Sequence, residues 1–212
     1  VADAALRHWL RLTLVPGVGG ESRRQLLKTF GLPEAVFAAS SGALAAVVGE
    51  TLATRLLSHD CDQAIDHALA WAAEPDNHLI TLADAGYPRA LLAADDPPIL
   101  LYVKGRVELL NRPGLAMVGS RNATKQGEAT AQAFAAALAG AGLTIVSGLA
   151  LGIDAAAHQG GLTGRGSTIA VIGTGADRIY PSRNEELARQ IAERGVLISE
   201  FALGTPAMAN NF

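Results

Sequence analysis

The sequence predicts an α/β protein: a Rossmann-like parallel sheet preceded by a small all-α domain. Two observations carry this. From residue 115 onward, short apolar runs at 115–118, 143–147, 168–172 and 196–199 alternate with helical stretches at about 124–140, 153–162 and 184–194. That spacing is the βαβ repeat, and strands apolar throughout are those of a sheet covered on both faces. Before residue 75 the pattern has helical period and no strand runs.

The first helices follow from apolar stripes. Leu6, Leu10 and Leu14 recur every four residues with Trp9 beside them, and Ala64, Ile65, Ala68, Leu69 and Ala72 form a second stripe. Pro16-Gly17-Val18-Gly19-Gly20, Gly31-Leu32-Pro33, Ser40-Ser41-Gly42 and Gly49 punctuate them. Leu14-Val15-Pro16-Gly17-Val18-Gly19 followed by an amphipathic helix at 21–30 has the form of a helix-hairpin-helix or SAM-like module. In the DNA-binding versions of that module, N–H groups of the turn contact phosphate. The alternative is that the glycines only make an αα turn, and the acidic balance of this half favours a structural or protein-contact role. Residues 1–74 are therefore expected to form a helical SAM-like domain. Residues 75–114 form a bridge with strand candidates at 78–82 and 99–103, and residues 115–212 form the Rossmann-like domain.

Composition bounds the function. Half the residues are hydrophobic and only 5% aromatic, which suits close helix-on-sheet packing and argues against disorder. The apolar runs are too short to cross a bilayer, and no basic, then apolar, leader opens the chain, so a cytoplasmic protein is expected. A single cysteine, Cys61, allows no intrachain disulfide and no cysteine-pair metal site. Net charge is −3, unevenly divided: residues 1–110 hold 9 Lys/Arg against 13 Asp/Glu, residues 111–212 hold 8 against 7. A polyanion would be held by a few placed cations and backbone N–H groups, not by a broad basic field.

Ligands of an open parallel sheet gather outside the carboxyl ends of its strands. The first strand ends in Gly119-Ser120-Arg121-Asn122. Glycine permits close backbone approach, the helix start near Thr124 offers free N–H groups, Ser120 adds a hydroxyl, and Arg121 adds a planar fork for phosphate oxygens. The triplet alone also fits a tight turn with a solvated arginine. The second strand ends in Ser147-Gly148 and leads to Gly152, with Asp154 placed to cap N–H groups and His158 placed as a packing residue. The third ends in Gly173-Thr174-Gly175, a candidate phosphate nest. Tyr180 reads as a base-stacking platform or a wedge against the sheet. Arg183 is a phosphate candidate, and Ser182 or Asn184 caps the helix that follows.

Several chemistries are disfavoured. The first βα turn is not G-x-G-x-x-G, and Ser147 stands where a ribose-binding acid is expected. No P-loop, no convincing metal spacing and no nucleophile–base pair can be assembled. No catalytic residue, metal or cofactor is assigned.

In order and spacing, the residues resemble the DprA/Smf family, the DNA-processing proteins of bacterial transformation. The resemblance runs through Val15-Pro16-Gly17-Val18-Gly19, Ile80-Thr81-Leu82-Ala83-Asp84-Ala85-Gly86-Tyr87-Pro88, Pro97-Pro98-Ile99-Leu100-Leu101-Tyr102-Val103-Lys104-Gly105 and Val118-Gly119-Ser120-Arg121. Its most specific stretch is Ser147-Gly148-Leu149-Ala150-Leu151-Gly152-Ile153-Asp154-Ala155-Ala156-Ala157-His158, followed by Gly175, Tyr180-Pro181 and Asn184-Glu185-Glu186-Leu187. The resemblance implies an extended Rossmann-like fold and a non-enzymatic protein. Such a protein binds single-stranded DNA, loads RecA during natural transformation and recombination, and at full length forms a homodimer. The DNA site it implies uses Gly119, Ser120 and Arg121, with Arg183 the nearest match to a family cation and Asn211-Phe212 the start of a further motif. Together with the strand-end residues, the candidate phosphate-binding set is Gly119, Ser120, Arg121, Ser147, Gly148, Gly173, Arg183, Asn211 and Phe212. Family members continue with more strands, so the Rossmann-like domain is expected to be truncated at its C-terminus.

A competing reading is a nucleotide-binding Rossmann enzyme related to the lysine-decarboxylase-like phosphoribohydrolases, although their proline-glycine-glycine-x-glycine-threonine segment is absent. A third is a scaffold that uses its N-terminal helices to hold a partner.

Overall fold

A computed structural model describes residues 2–211. The chain divides into two compact units. The first comprises the residues up to Glu74 together with Thr81–Ala83 and Ala90–Leu100. The second comprises Pro75–Ile80, Asp84–Arg89 and the chain from Leu101 onward. Parts of the bridge thus belong to each unit.

The first unit holds helices α1 (Ala2–Leu14), α2 (Gly20–Phe30), α3 (Pro33–Ala38), α4 (Ser41–Val48), α5 (Glu50–Ser58) and α6 (Asp62–Ala72). Each boundary has a local cause. Pro33 opens α3 at a position where its missing N–H is not needed, and the Ser40 hydroxyl accepts from Ala43 N–H to cap α4. Leu10, Leu12, Leu26, Val36, Leu44, Leu56 and Ile65 are buried at the centre. On α1 the buried face differs from the four-residue leucine stripe: Leu12, one turn from Trp9, is fully buried, while Leu6 and Leu14 are only half-buried.

The second unit is built on a six-stranded sheet, of which only the end residues Thr81 and Leu100 are counted with the first unit: β1 (Asn77–Thr81), β2 (Leu100–Gly105), β3 (Gly114–Ala116), β4 (Thr144–Ser147), β5 (Thr168–Val171) and β6 (Val196–Ser199), in the order β1-β2-β6-β5-β4-β3. Strands β3 to β6 are mutually parallel, with Leu115 opposite Ile145, Val146 opposite Ile169 and Ala170 opposite Leu197. β2 runs antiparallel to β6, Val103 facing Ile198. The sheet is therefore mixed: β2 is inserted beside a strand more than 90 residues away, which no local period encodes.

Helices α7 (Lys125–Gly140), α8 (Ile153–Gly161) and α9 (Glu185–Arg194) link the parallel strands. Ala135 and Ala139 of α7 meet Ala157 of α8 and Ile145 of β4. Leu187, Ala188 and Ile191 of α9 pack with Ala170, Ile172 and Leu197. Alanine on both facing helices lets α7 and α8 approach closely. β3 is an edge of the sheet with all three residues exposed.

Candidate functional site

Because β3, β4, β5 and β6 are parallel, the segments that follow them emerge at one edge of the sheet. The first two loops are joined. Ile153 N–H, at the start of α8, donates to the Ser120 carbonyl at 3.2 Å. Two glycines make the approach possible. A Cβ on Gly119 would lie 2.8 Å from the Ile153 side chain. Gly152 has φ +75, and a Cβ there would run into the Ser120 carbonyl. The Gly119-Ser120-Arg121 loop is thus clamped onto the α8 N-terminus. The Ser120 hydroxyl accepts from Asn122 N–H at 3.1 Å and keeps its own proton for a further acceptor. Arg121 is exposed. Thr124 then caps α7 by accepting from Gly127 N–H, so Arg121 stands just before the positive end of a sixteen-residue helix.

The second loop is held from beneath. The buried Asp154 carboxylate accepts from Gly148 N–H at 3.1 Å and Ala150 N–H at 3.4 Å. The Asn184 carboxamide donates to the Leu149 and Ala150 carbonyls at 2.8 and 3.1 Å. Ser147 is buried and donates to the Met117 carbonyl at 2.7 Å. The Ser147 proton and the Gly148 N–H, both in the predicted phosphate-binding set, are engaged inside the protein and fix the shape of the second loop. Neither Ser182 nor Asn184 caps α9; the Asn184 donors go to the second loop instead.

The candidate nest at Gly173-Thr174-Gly175 lies beneath the segment that follows β6. All three residues are buried, and Gly175 N–H donates to the Thr205 carbonyl at 3.0 Å. The Ser199 hydroxyl donates to the Thr174 carbonyl at 2.5 Å. Asn211 donates to the Gly173 carbonyl at 3.0 Å, which brings together two residues chosen from sequence. The segment after β6 therefore lies over the third loop, and Gly173 serves as an anchor for it. Phe212 lies outside the described residues. Arg183 is exposed in the turn Ser182–Asn184. Tyr180 leaves 52% of its surface in solvent, so it is not a wedge against the sheet.

His158, one turn beyond Asp154, is fully buried, and its Nδ1 lies 2.7 Å from the Thr168 hydroxyl. That hydroxyl donates to the Ile145 carbonyl, so the histidine donates to Thr168. Burial pushes the imidazole down to about 3. Among the described residues no group of three His, Cys, Asp or Glu side chains is placed to hold a metal ion, and no helix is long and apolar enough to cross a membrane.

In the first unit, the hairpin between α1 and α2 is engaged internally. The Asp96 carboxylate sits against Gly20, the first residue of α2, and pairs with Arg24 one turn on. Arg55 donates to the Pro16 carbonyl at 3.0 Å, and Arg23 to the Thr13 carbonyl at 2.6 Å. A carboxylate occupies the helix start where a phosphate would have to approach.

Comparison with known proteins places this arrangement. The model of the DNA recombination-mediator protein A family matches residues 78–212. The chain belongs to that family. The Smf protein of Escherichia coli (strain K12) is 38% identical over 211 residues, covering 96% of this chain and 54% of that protein. The Smf protein of Synechocystis is 35% identical over 218 residues, covering 100% of this chain and 55% of that one. The chain spans about half the length of these curated relatives. The X-ray structure of DNA processing protein A from Streptococcus pneumoniae superposes with a TM-score of 0.81 at 30% identity, over 97% of this chain and 71% of that one. DNA processing protein A from Helicobacter pylori, whose structure describes a single-stranded DNA binding mode, matches 63% of this chain and 60% of its own, with a TM-score of 0.57 and 32% identity. The resemblance to the DprA/Smf family and the Rossmann-like fold with a helical region before it are both borne out.

Proposed function

We propose that this chain binds single-stranded DNA at the strand-end edge of its sheet and performs no covalent chemistry. The observation that carries this reading is the clamped Gly119-Ser120-Arg121 loop, which offers an exposed arginine and a hydroxyl just before the α7 N-terminus. Phosphates would lie on Arg121, Ser120 and Arg183, with a base against the exposed ring of Tyr180. Membership of a DNA recombination-mediator family supports the choice of ligand, and so does the single-stranded DNA binding described for the Helicobacter pylori relative. In the cell the role would be to shield incoming DNA in the cytoplasm and to load RecA on it, as a homodimer. Asp154 and His158 are engaged in internal hydrogen bonds, which favours binding over acid–base catalysis.

The test is a salt series of single-strand binding by fluorescence anisotropy. Arg121→Ala is expected to weaken binding about tenfold or more, as for loss of a charged hydrogen bond. It should also lower the slope of log K against log salt by about 0.7, one phosphate contact on a single strand. An unchanged slope and affinity would refute the assignment. Release of free base from a nucleoside monophosphate by the purified protein would instead favour the phosphoribohydrolase reading.

A further inference from the structure

We infer that Asn184 is a positioning residue for the nucleic-acid site: its carboxamide sets where Arg183 stands relative to Arg121. This rests on the single-stranded DNA reading above. Asn184 closes the turn Ser182–Asn184 and is only 7% exposed, while its neighbour Arg183 is exposed. Both hydrogen bonds from its amide nitrogen go to another segment, the Leu149 and Ala150 carbonyls at 2.8 and 3.1 Å. It leaves its own helix start without a side-chain cap. An asparagine that forgoes the local cap to hold a loop 34 residues away is fixing the relation between two segments.

The loop it holds is rigid on the other side as well. Asp154 accepts from the N–H groups of Gly148 and Ala150. Leu149, between them, has a left-handed φ of +60 and a fully buried side chain. A non-glycine residue keeps that backbone only where its surroundings enforce it. At the far end of the loop, Ile153 N–H holds the Ser120 carbonyl. Hydrogen bonds and short stretches of backbone therefore link the turn that carries Arg183, through the second loop, to the residue before Arg121. Two arginines whose backbone positions are held relative to each other engage two phosphates of a flexible strand with only their side chains left to order. Removing the Asn184 amide leaves every charge in place and frees one of them from its position.

The experiment compares Arg121→Ala, Arg183→Ala, Asn184→Ala and the double variant Arg183→Ala/Asn184→Ala. Single-strand affinity and salt slope are read for each, with circular dichroism at the binding temperature reporting folding. Arg183→Ala is expected to weaken binding about tenfold and to lower the salt slope by about 0.7. Asn184→Ala should weaken binding by roughly five- to tenfold with a similar fall in slope, although it removes no charge. Added to Arg183→Ala, it should cost less than about twofold more, because the two changes act on one contact. If Asn184→Ala does not fold, Asn184→Ser, whose shorter polar side chain leaves its hydroxyl short of both carbonyls, takes its place with the same readings. Wild-type binding by a folded Asn184 variant, or losses that multiply in full with Arg183→Ala, overturns the inference. So does an Arg183→Ala protein that binds as wild type. If Arg121→Ala binds as wild type too, the single-strand reading itself has failed. Loss with Arg121→Ala and none with Asn184→Ala condemns the positioning role alone.

Discussion

His158 stands with its ring fully buried beside Thr168, and burial alone depresses its protonation to about 3. In the unfolded chain it protonates near its ordinary 6.5. Between those values the unfolded state binds the extra proton, so stability falls as pH falls through this window and is whole above it. Thermal melts of wild type and His158→Gln between pH 7 and 4 should converge as pH drops, since the variant lacks this loss; curves that stay parallel would remove His158 from the account. At this scale the sequence was partly legible. The Gly119-Ser120-Arg121 loop and a packing role for His158 could be read from residue type and position. Asn184 could not, because the same residue at a helix start serves equally well as a cap, and only the folded chain brings Leu149 and Ala150 within its reach. The direction of the Ser147 and Gly148 donors is illegible for a related reason: strand-end position does not say which way a donor points.

Among the elements, the periodic segments were the legible ones. Parallel strands covered by helices leave apolar runs, and the six strand candidates match β1 to β6 within about two residues. The antiparallel pairing of β2 with β6 and the closure of the third loop by the segment after β6 were invisible, since both depend on distant partners. The junction of the first two loops gives a direct check. Gly152→Ala combines a left-handed φ with a collision against the Ser120 carbonyl and is expected to cost roughly 2 kcal/mol or more. Gly42→Ala, in the first turn of α4 with open space at its Cβ, should be neutral or stabilise by less than about 1 kcal/mol. Melting temperatures distinguish the two at once, and equal midpoints would contradict the close approach of the loops.

Across the whole molecule, acidity is concentrated in residues 1–110, while the arginines of the candidate site lie in residues 111–212. Binding should therefore be partitioned unequally. Arg24→Ala removes a cation of α2 that is paired with Asp96 at a partly exposed site, so it should cost about 1 kcal/mol or less in stability. It should leave the salt slope of single-strand binding where it was, in contrast to Arg121→Ala; a fall of about 0.7 for Arg24→Ala would enlist the helical unit in DNA contact. The position of Asp96 against Gly20 gives the reason to expect no such fall. A tethered carboxylate is an intramolecular competitor, present at the helix start at an effective concentration on the order of millimolar or above. Any phosphate arriving from solution must displace it before that turn can act as a receptor, so the hairpin is in effect a receptor already saturated by its own chain.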